Sequence, residues 1–158
     1  NEERLGSVGD VNFVIEKEKI NDDILIVNTD NLFTFNLKEL HNEFLKRKES
    51  VIALYDVKDL EIAKRMGYAE TINGKVVYFK EKPSNPKTSL SSIGIYIYTK
   101  DICKMFKEYL EKNSADKTGE FLEWLHIRKN VYAYTFEGKW FDVGTLDSLK
   151  NAREEFKL

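Results

Sequence analysis

Cysteine, proline and glycine are scarce in this chain, and neither charge sign dominates. There is one cysteine, Cys103, with two prolines and eight glycines. A lone cysteine excludes an intrachain disulfide and a cysteine-built zinc cluster, and it fits a reducing compartment, so a cytoplasmic protein is expected. So little glycine and proline argues against linkers, turn repeats and collagen-like sequence. The 25 lysines and arginines nearly balance 27 aspartates and glutamates, for a net charge of −2, which argues against a dedicated nucleic-acid binder. No apolar run approaches the ~20 residues of a membrane helix. The runs present, such as Ile24-Leu25-Ile26-Val27, are strand-sized, so no membrane partner is expected. The opening residues lack the apolar segment of a signal peptide, and the chain starts on Asn1, which hints at a fragment or processed piece.

What is present is a globular composition: 158 residues, 42% hydrophobic, 13% aromatic and 33% charged. That length suits one domain spanning 1–158 with a core of its own. Apolar spacing predicts a helix over 8–20, and the Ile24–Val27 run reads as a buried parallel strand. Asn36 followed by Glu39 looks like a helix cap with its glutamate at the third helical position, opening a helix to about 48. A strand over 51–57 and a short helix over 59–66 follow. Asn73-Gly74 between β-prone stretches 68–72 and 75–81 is a hairpin signal, because both turn residues must tolerate positive φ. Further strands are expected over 92–99, 131–136 and 140–143, and helices over 101–112, 119–127 and 146–156. This alternation predicts an α/β layered domain with a mixed, mainly parallel sheet and at least one antiparallel hairpin.

In open α/β sheets, ligands bind beyond the carboxyl ends of strands. Asp30 and Asp142 occupy such ends, and two carboxylates can share one Mg²⁺, a hard cation that takes a few carboxylates plus phosphate oxygens. Taken singly, each also reads as a turn or cap residue. Lys82, where a strand runs into Pro83, can meet a phosphate as a point charge or blunt a sheet edge. Gly6 and Gly9, in Leu5-Gly6-Ser7-Val8-Gly9, precede a helix whose free N–H groups can hold an anion or a ligand edge. His41 reads as a surface residue, and His126, Cys103, Trp124 and Trp140 read as packing residues. Lys46-Arg47-Lys48 reads as a basic helix end that suits the dipole.

In order along the chain, these signals resemble the sugar nucleotidyltransferases, also called nucleotide-sugar pyrophosphorylases, from Leu5 to about Phe156. Leu5-Gly6-Ser7-Val8-Gly9 is similar to the family's Leu-Gly-Thr-Ala-Gly segment near the nucleobase. Ile24 to Asn31 resembles its apolar strand ending in Gly-Asp, and Met66-Gly67-Tyr68 its Tyr-Gly turn at the sugar. Phe79-Lys80-Glu81-Lys82-Pro83 matches Phe-x-Glu-Lys-Pro, and Ile93-Gly94-Ile95-Tyr96 resembles Thr-Gly-Leu-Tyr. Thr118-Gly119-Glu120 resembles Arg-Gly-Glu, and Trp140-Phe141-Asp142-Val143-Gly144-Thr145 resembles Trp-x-Asp-x-Gly-Thr.

The resemblance implies a Rossmann-like fold and Mg²⁺-dependent nucleotidyl transfer from an NTP to a sugar 1-phosphate, giving a nucleotide sugar and pyrophosphate. It implies that Asp30 and Asp142 hold the metal, that Lys82 holds the sugar phosphate, and that Gly67 and Glu81 orient the sugar. Gly6, Gly9 and Glu120 join the implied substrate contacts. Thr29 departs from the glycine before the metal aspartate, and Asp10 from a small residue. The family's opening strand and Gly-Gly-x-Gly-Thr-Arg-Leu segment have no counterpart before Leu5, so a first βαβ unit is expected to be missing: lost, cleaved but retained, or supplied by another chain. A homo-oligomer is allowed. Two rivals stand beside this reading. One is an inactive module that binds nucleotide sugar or regulates a partner. The other is a metal-dependent glycosyltransferase, of whose Asp-x-Asp pair Asn28-Thr29-Asp30 carries only half.

Overall fold

The computed structural model describes residues 4–156. In chain order the elements are α1 (Gly6–Lys17), β1 (Ile24–Val27), β2 (Asn31–Phe33), α2 (Leu37–Arg47), β3 (Ser50–Asp56), α3 (Leu60–Ala63) and β4 (Gly67–Ile72). Then come β5 (Lys75–Glu81), β6 (Leu90–Tyr98), α4 (Lys100–Leu110), α5 (Thr118–Leu125), β7 (Val131–Phe136), β8 (Trp140–Asp142) and α6 (Leu146–Glu155).

Six strands form the main sheet in the order β1-β6-β3-β7-β5-β4, and β4 also reaches β6. The sheet is mixed, as the alternation of elements predicts. Strands β1, β3, β4 and β7 share one direction, and β5 and β6 run against them. Because β6 lies antiparallel between β1 and β3, β3–β7 is the one directly paired parallel couple among the described residues. The hairpin turn forms as its sequence demands, with φ of 51° at Asn73 and 78° at Gly74.

Both faces of the sheet are covered. Strand β3 sends Ile52 and Leu54 into one core and Val51 and Ala53 into the other; β6 divides Tyr96 and Tyr98 from Ile93, Ile95 and Ile97 in the same way. Such period-2 alternation on a strand buried on both faces leaves no polar side, and all residues from Ser91 to Tyr98 are buried. Helices α1, α4 and α5 cover the first face through Val8, Ile102, Phe106, Phe121 and Leu122, and α2 covers the second through Leu40 and Phe44. Cys103 is a buried free thiol, and burial pushes its pKa up.

Three expectations need correction. Strand β1 is not a fully buried parallel strand. It pairs antiparallel with β6 on one edge, and Leu25 and Val27 are 52% and 36% exposed. The Asn36 side chain does cap α2, accepting from the Lys38 N–H at 3.0 Å. Glu39, however, does not turn back to close a capping box: its carboxylate accepts from the Tyr134 hydroxyl at 2.8 Å. A closed box appears instead at α6, between Thr145 and Ser148. Finally, 31–33 forms a strand, β2, where the sequence reading has none; it pairs with β8 in a separate two-stranded sheet.

One irregularity shapes the edge of β6. Between the pairs Ile52↔Tyr96 and Leu54↔Ser92, β6 advances four residues while β3 advances two, so β6 bulges around Gly94. Gly94 has φ +71°, and a Cβ there would collide with the Asn28 side chain. Glycine relaxes into that positive-φ geometry and leaves room for the Asn28 side chain. Strands β1 and β4 share one edge of β6: β1 pairs with residues 95–98 and β4 with 91–92. The bulge falls between them, and there the sheet opens.

Candidate active site

A cavity of roughly 330 Å³ occupies this opening. Its walls come from separate parts of the fold: Asn28 and Asp30 after β1, Gly67 on β4, Glu81 and Lys82 at the end of β5, and Asp142 on β8. The bulged stretch of β6 and the start of α5 complete the lining.

The two aspartates meet through the small sheet. Asn31 pairs with Asp142, and the Asp30 carbonyl accepts from the Val143 N–H at 2.7 Å. Asn31 locks this junction, its amide nitrogen donating to the Asn28 carbonyl at 3.1 Å and the Asp30 carboxylate at 3.2 Å. Its amide oxygen accepts from the Trp140 indole at 2.6 Å. Both aspartates are exposed, and each offers hard oxygen donors. Such a pair fits Mg²⁺, which is held by one or two carboxylates and completes its shell with water or phosphate oxygens. No group of three or more His, Cys, Asp or Glu side chains gathers at metal-binding distance among the described residues. An all-protein cage of the kind zinc uses is therefore not the donor set on offer.

Glu81 and Lys82 are consecutive, yet both line the cavity. Neighbours in a regular strand point to opposite faces. Here Lys82 leaves the strand in the left-handed region, at φ +46°, directly before Pro83. That conformation is costly for a residue with a side chain before proline. It is held by the Lys82 N–H donating to the Met66 carbonyl at 3.0 Å.

Glu81 is half-buried, and its carboxylate has no hydrogen-bond partner among the described residues. Its backbone N–H donates to Glu123 at 3.1 Å, and Glu123 also pairs with Lys80 at 2.7 Å, which ties α5 to the end of β5. The carboxylate lies against two glycines. A Cβ on Gly67 would come within 2.8 Å of it, and a Cβ on Gly119 would fall on top of it. Burial pushes the Glu81 pKa up, while the charges of Lys82 and Lys117 pull it back. Below it, the buried hydroxyls of Ser92, Tyr96 and Thr118 form a chain with spacings of 3.3 and 3.4 Å.

Three residues taken from the sequence lie elsewhere. Gly6 and Gly9 do not line this cavity. The N–H groups that open α1 are already used: Ser7 donates to Asp116, and Val8 and Gly9 donate to Ala115. The segment is thus a docking joint between α1 and the loop before α5, not an open anion cradle, and Ser7 is its member at the cavity. Glu120 faces a neighbouring cavity and pairs with Lys117 at 3.1 Å. Trp140, read as a packing residue, also lines the site. Sequence reasoning missed Asn28, Asn31, Lys117 and Glu123; only the Asn beside Asp30 carried a local signal, as a polar residue adjoining a strand-end carboxylate.

A family model described as nucleotidyl transferase matches residues 2–157. The glucose-1-phosphate adenylyltransferase of Thermotoga maritima is 33% identical over 142 residues, covering 85% of this chain and 33% of that protein. The Clostridium beijerinckii enzyme of the same name is 36% identical over 140 residues, covering 82% and 35%. The chain thus spans about a third of the length of the curated relatives it matches. Among solved structures, a UDP-glucose pyrophosphorylase complexed with UDP-glucose superposes with a TM-score of 0.81 at 24% identity, covering 96% of this chain and 62% of that one. The apo form of a UDP-glucose pyrophosphorylase gives 0.78 at 22%, covering 98% and 62%. At these identities the likeness speaks to the fold alone.

Proposed function

The chain belongs to the nucleotidyl transferase family, and from that premise we propose that it carries the sugar-phosphate half of a nucleotidyl-transfer site. A sugar 1-phosphate binds at Glu81 and Lys82, and an NTP is the nucleotide donor. The supporting observation is the Glu81 carboxylate: half-buried, without a hydrogen-bond partner among the described residues, and walled by Gly67 and Gly119. An acceptor-only group held out of water needs donors, and sugar hydroxyls are donors of the right kind. Lys82 beside it supplies the charge for a phosphate.

In the reaction, a phosphate oxygen of the sugar 1-phosphate attacks the α-phosphorus of the NTP. The new P–O bond forms as the bond from that phosphorus to the bridging oxygen breaks, and pyrophosphate leaves with the electron pair. Two anions must be brought together and aligned, so the protein's work is neutralisation and positioning. Lys82 offsets the charge of the incoming phosphate, and Glu81 fixes the sugar ring so that the attacking oxygen faces one way. Asp30 and Asp142 would hold Mg²⁺, which when bound neutralises nucleotide phosphate oxygens. Asn31 holds the Asp30 carboxylate through its side-chain amide, and its strand pairing sets Asp142 opposite. The names of the relatives make glucose 1-phosphate and ATP the first substrates to try.

The test is a titration of the protein with a panel of nucleotide sugars and glucose 1-phosphate, followed by thermal midpoint, with and without Mg²⁺. A ligand of the folded state raises the midpoint by mass action. A rise with a nucleotide sugar that disappears in Glu81→Gln supports the proposal. Absence of any rise across the panel overturns it.

A further inference from the structure

We propose that Lys117 is a second cation for the substrate phosphate, tethered by Glu120 until the anion arrives; this rests on the sugar-phosphate reading of the cavity above. A second cavity, of roughly 560 Å³, adjoins the first, and the two share Glu81, Lys82 and Lys117 as a common wall. Lys117 therefore stands at the boundary between the two cavities.

Charge balance supplies the argument. A phosphate monoester near neutral pH carries close to two negative charges. Placing it beside the Glu81 carboxylate gathers close to three in a half-buried recess, and Lys82 offsets one. The Glu81 carboxyl already resists ionisation through burial, and the two cations that counteract this are Lys82 and Lys117. A cavity that is to accept a further anion here has those two ammonium groups to draw on.

The backbone of Lys117 is suited to the task. It is the N-cap of α5, in extended conformation, and its carbonyl accepts from the Glu120 and Phe121 N–H groups at 3.1 and 3.3 Å. Its Cα is thereby fixed while the long side chain stays partly exposed. The Glu120 partner lies one turn along the helix, with the two side chains 37% and 33% exposed. A solvated i,i+3 pair is a weak tether, so exchange of Glu120 for a phosphate dianion favours the more highly charged partner. Thr118, the next residue, cannot do this, since it is buried and its hydroxyl faces Tyr96.

The experiment is a calorimetric titration of the protein with glucose 1-phosphate and, by NMR, with the uncharged analogue methyl glucoside, for wild type, Lys117→Gln, Lys117→Arg and Lys82→Gln. Loss of one charge-assisted phosphate contact weakens glucose 1-phosphate binding about tenfold in Lys117→Gln. It leaves methyl glucoside within about twofold, and Lys117→Arg recovers most of the loss, because a guanidinium meets phosphate as well as an ammonium does. Equal weakening toward both ligands would mean a merely structural role and overturns the inference. So does unchanged glucose 1-phosphate binding in Lys117→Gln while Lys82→Gln is impaired, an outcome that leaves the functional proposal standing. Failure of the wild type to bind either nucleotide sugar or glucose 1-phosphate removes the functional proposal itself, and this inference with it.

Discussion

A carboxylate that accepts no hydrogen bond and lies half out of water is disfavoured in its charged form. Glu81 is in that position, and its pKa is raised by burial. The sign follows from linkage. A carboxyl whose folded-state pKa is raised costs nothing below its unfolded pKa, and its penalty grows as pH rises through the folded value. Glu81→Gln is therefore expected to raise the thermal midpoint by about 2 °C at pH 7, with the gain vanishing as pH falls through the carboxylate range. Ligand binding is expected to be lost at the same time, so stability and function move in opposite directions. A pH series of melting curves for the two proteins checks this. The glycine facing Glu81 gives a second case. Gly119→Ala places a methyl where the carboxylate lies. Its midpoint is expected to change little, because alanine suits the first turn of a helix better than glycine does, yet the displaced carboxylate should cost at least ~10-fold in glucose 1-phosphate affinity by titration.

At the scale of elements, the decisive pairing is β2 with β8, which joins Asp30 to Asp142 from distant parts of the chain. Strands of three residues contribute little by themselves, so the side chain of Asn31 matters out of proportion to its size. Asn31→Ala removes the bonds to Asn28, Asp30 and Trp140. It is expected to cost about 1–3 kcal/mol by denaturant titration, since a part-buried indole N–H loses its acceptor, and to weaken Mg²⁺-dependent binding. The elements were largely legible in the sequence: Asn73-Gly74, the cap at Asn36 and the strand cores are local signals of backbone conformation and side-chain period. The misses share a cause. The strand at 31–33 depends on β8, the fate of Glu39 on Tyr134 and the closed N–H groups of α1 on Ala115 and Asp116. None of these partners lies within one turn or hairpin of the residue it serves.

At the scale of the whole molecule, Phe121 connects stability to the site. It lies in the core on the face covered by α1, α4 and α5, stacked on Phe106 at 4.1 Å and on Trp124 at 5.9 Å, and meeting Tyr98 and Tyr109 edge-on. The same helix carries Gly119 to the wall of the first cavity and Glu123 to that of the second. Phe121→Ala is expected to lose about 3–5 kcal/mol, with weakened ligand binding in whatever fraction remains folded; denaturant melts with and without ligand measure both. Metal is the second test at this scale. Addition of Mg²⁺ with nucleotide sugar is expected to raise the wild-type midpoint more than nucleotide sugar alone, and the difference should vanish in Asp30→Asn and in Asp142→Asn. An equal Mg²⁺ increment in all three proteins would contradict the aspartate assignment. Among the described residues, no helix is long and apolar enough to cross a membrane.

Sequence alone determined which residues carry donors, acceptors and charge, where the backbone turns, and the order of the motifs by which the family is recognised. These are properties of side-chain chemistry and of neighbours a few residues apart. Tertiary structure decided that β6 lies antiparallel between β1 and β3 and bulges at Gly94, and that β1 and β4 divide one of its edges. It also decided that Glu81, Lys82 and Lys117 line both cavities, while Glu120 lines only the second and Gly6 and Gly9 line neither. The physical reason is that backbone donors and strand edges are satisfied by whichever segment the packing brings to them. Hydrophobic period reports that a face is buried and leaves open which segment buries it.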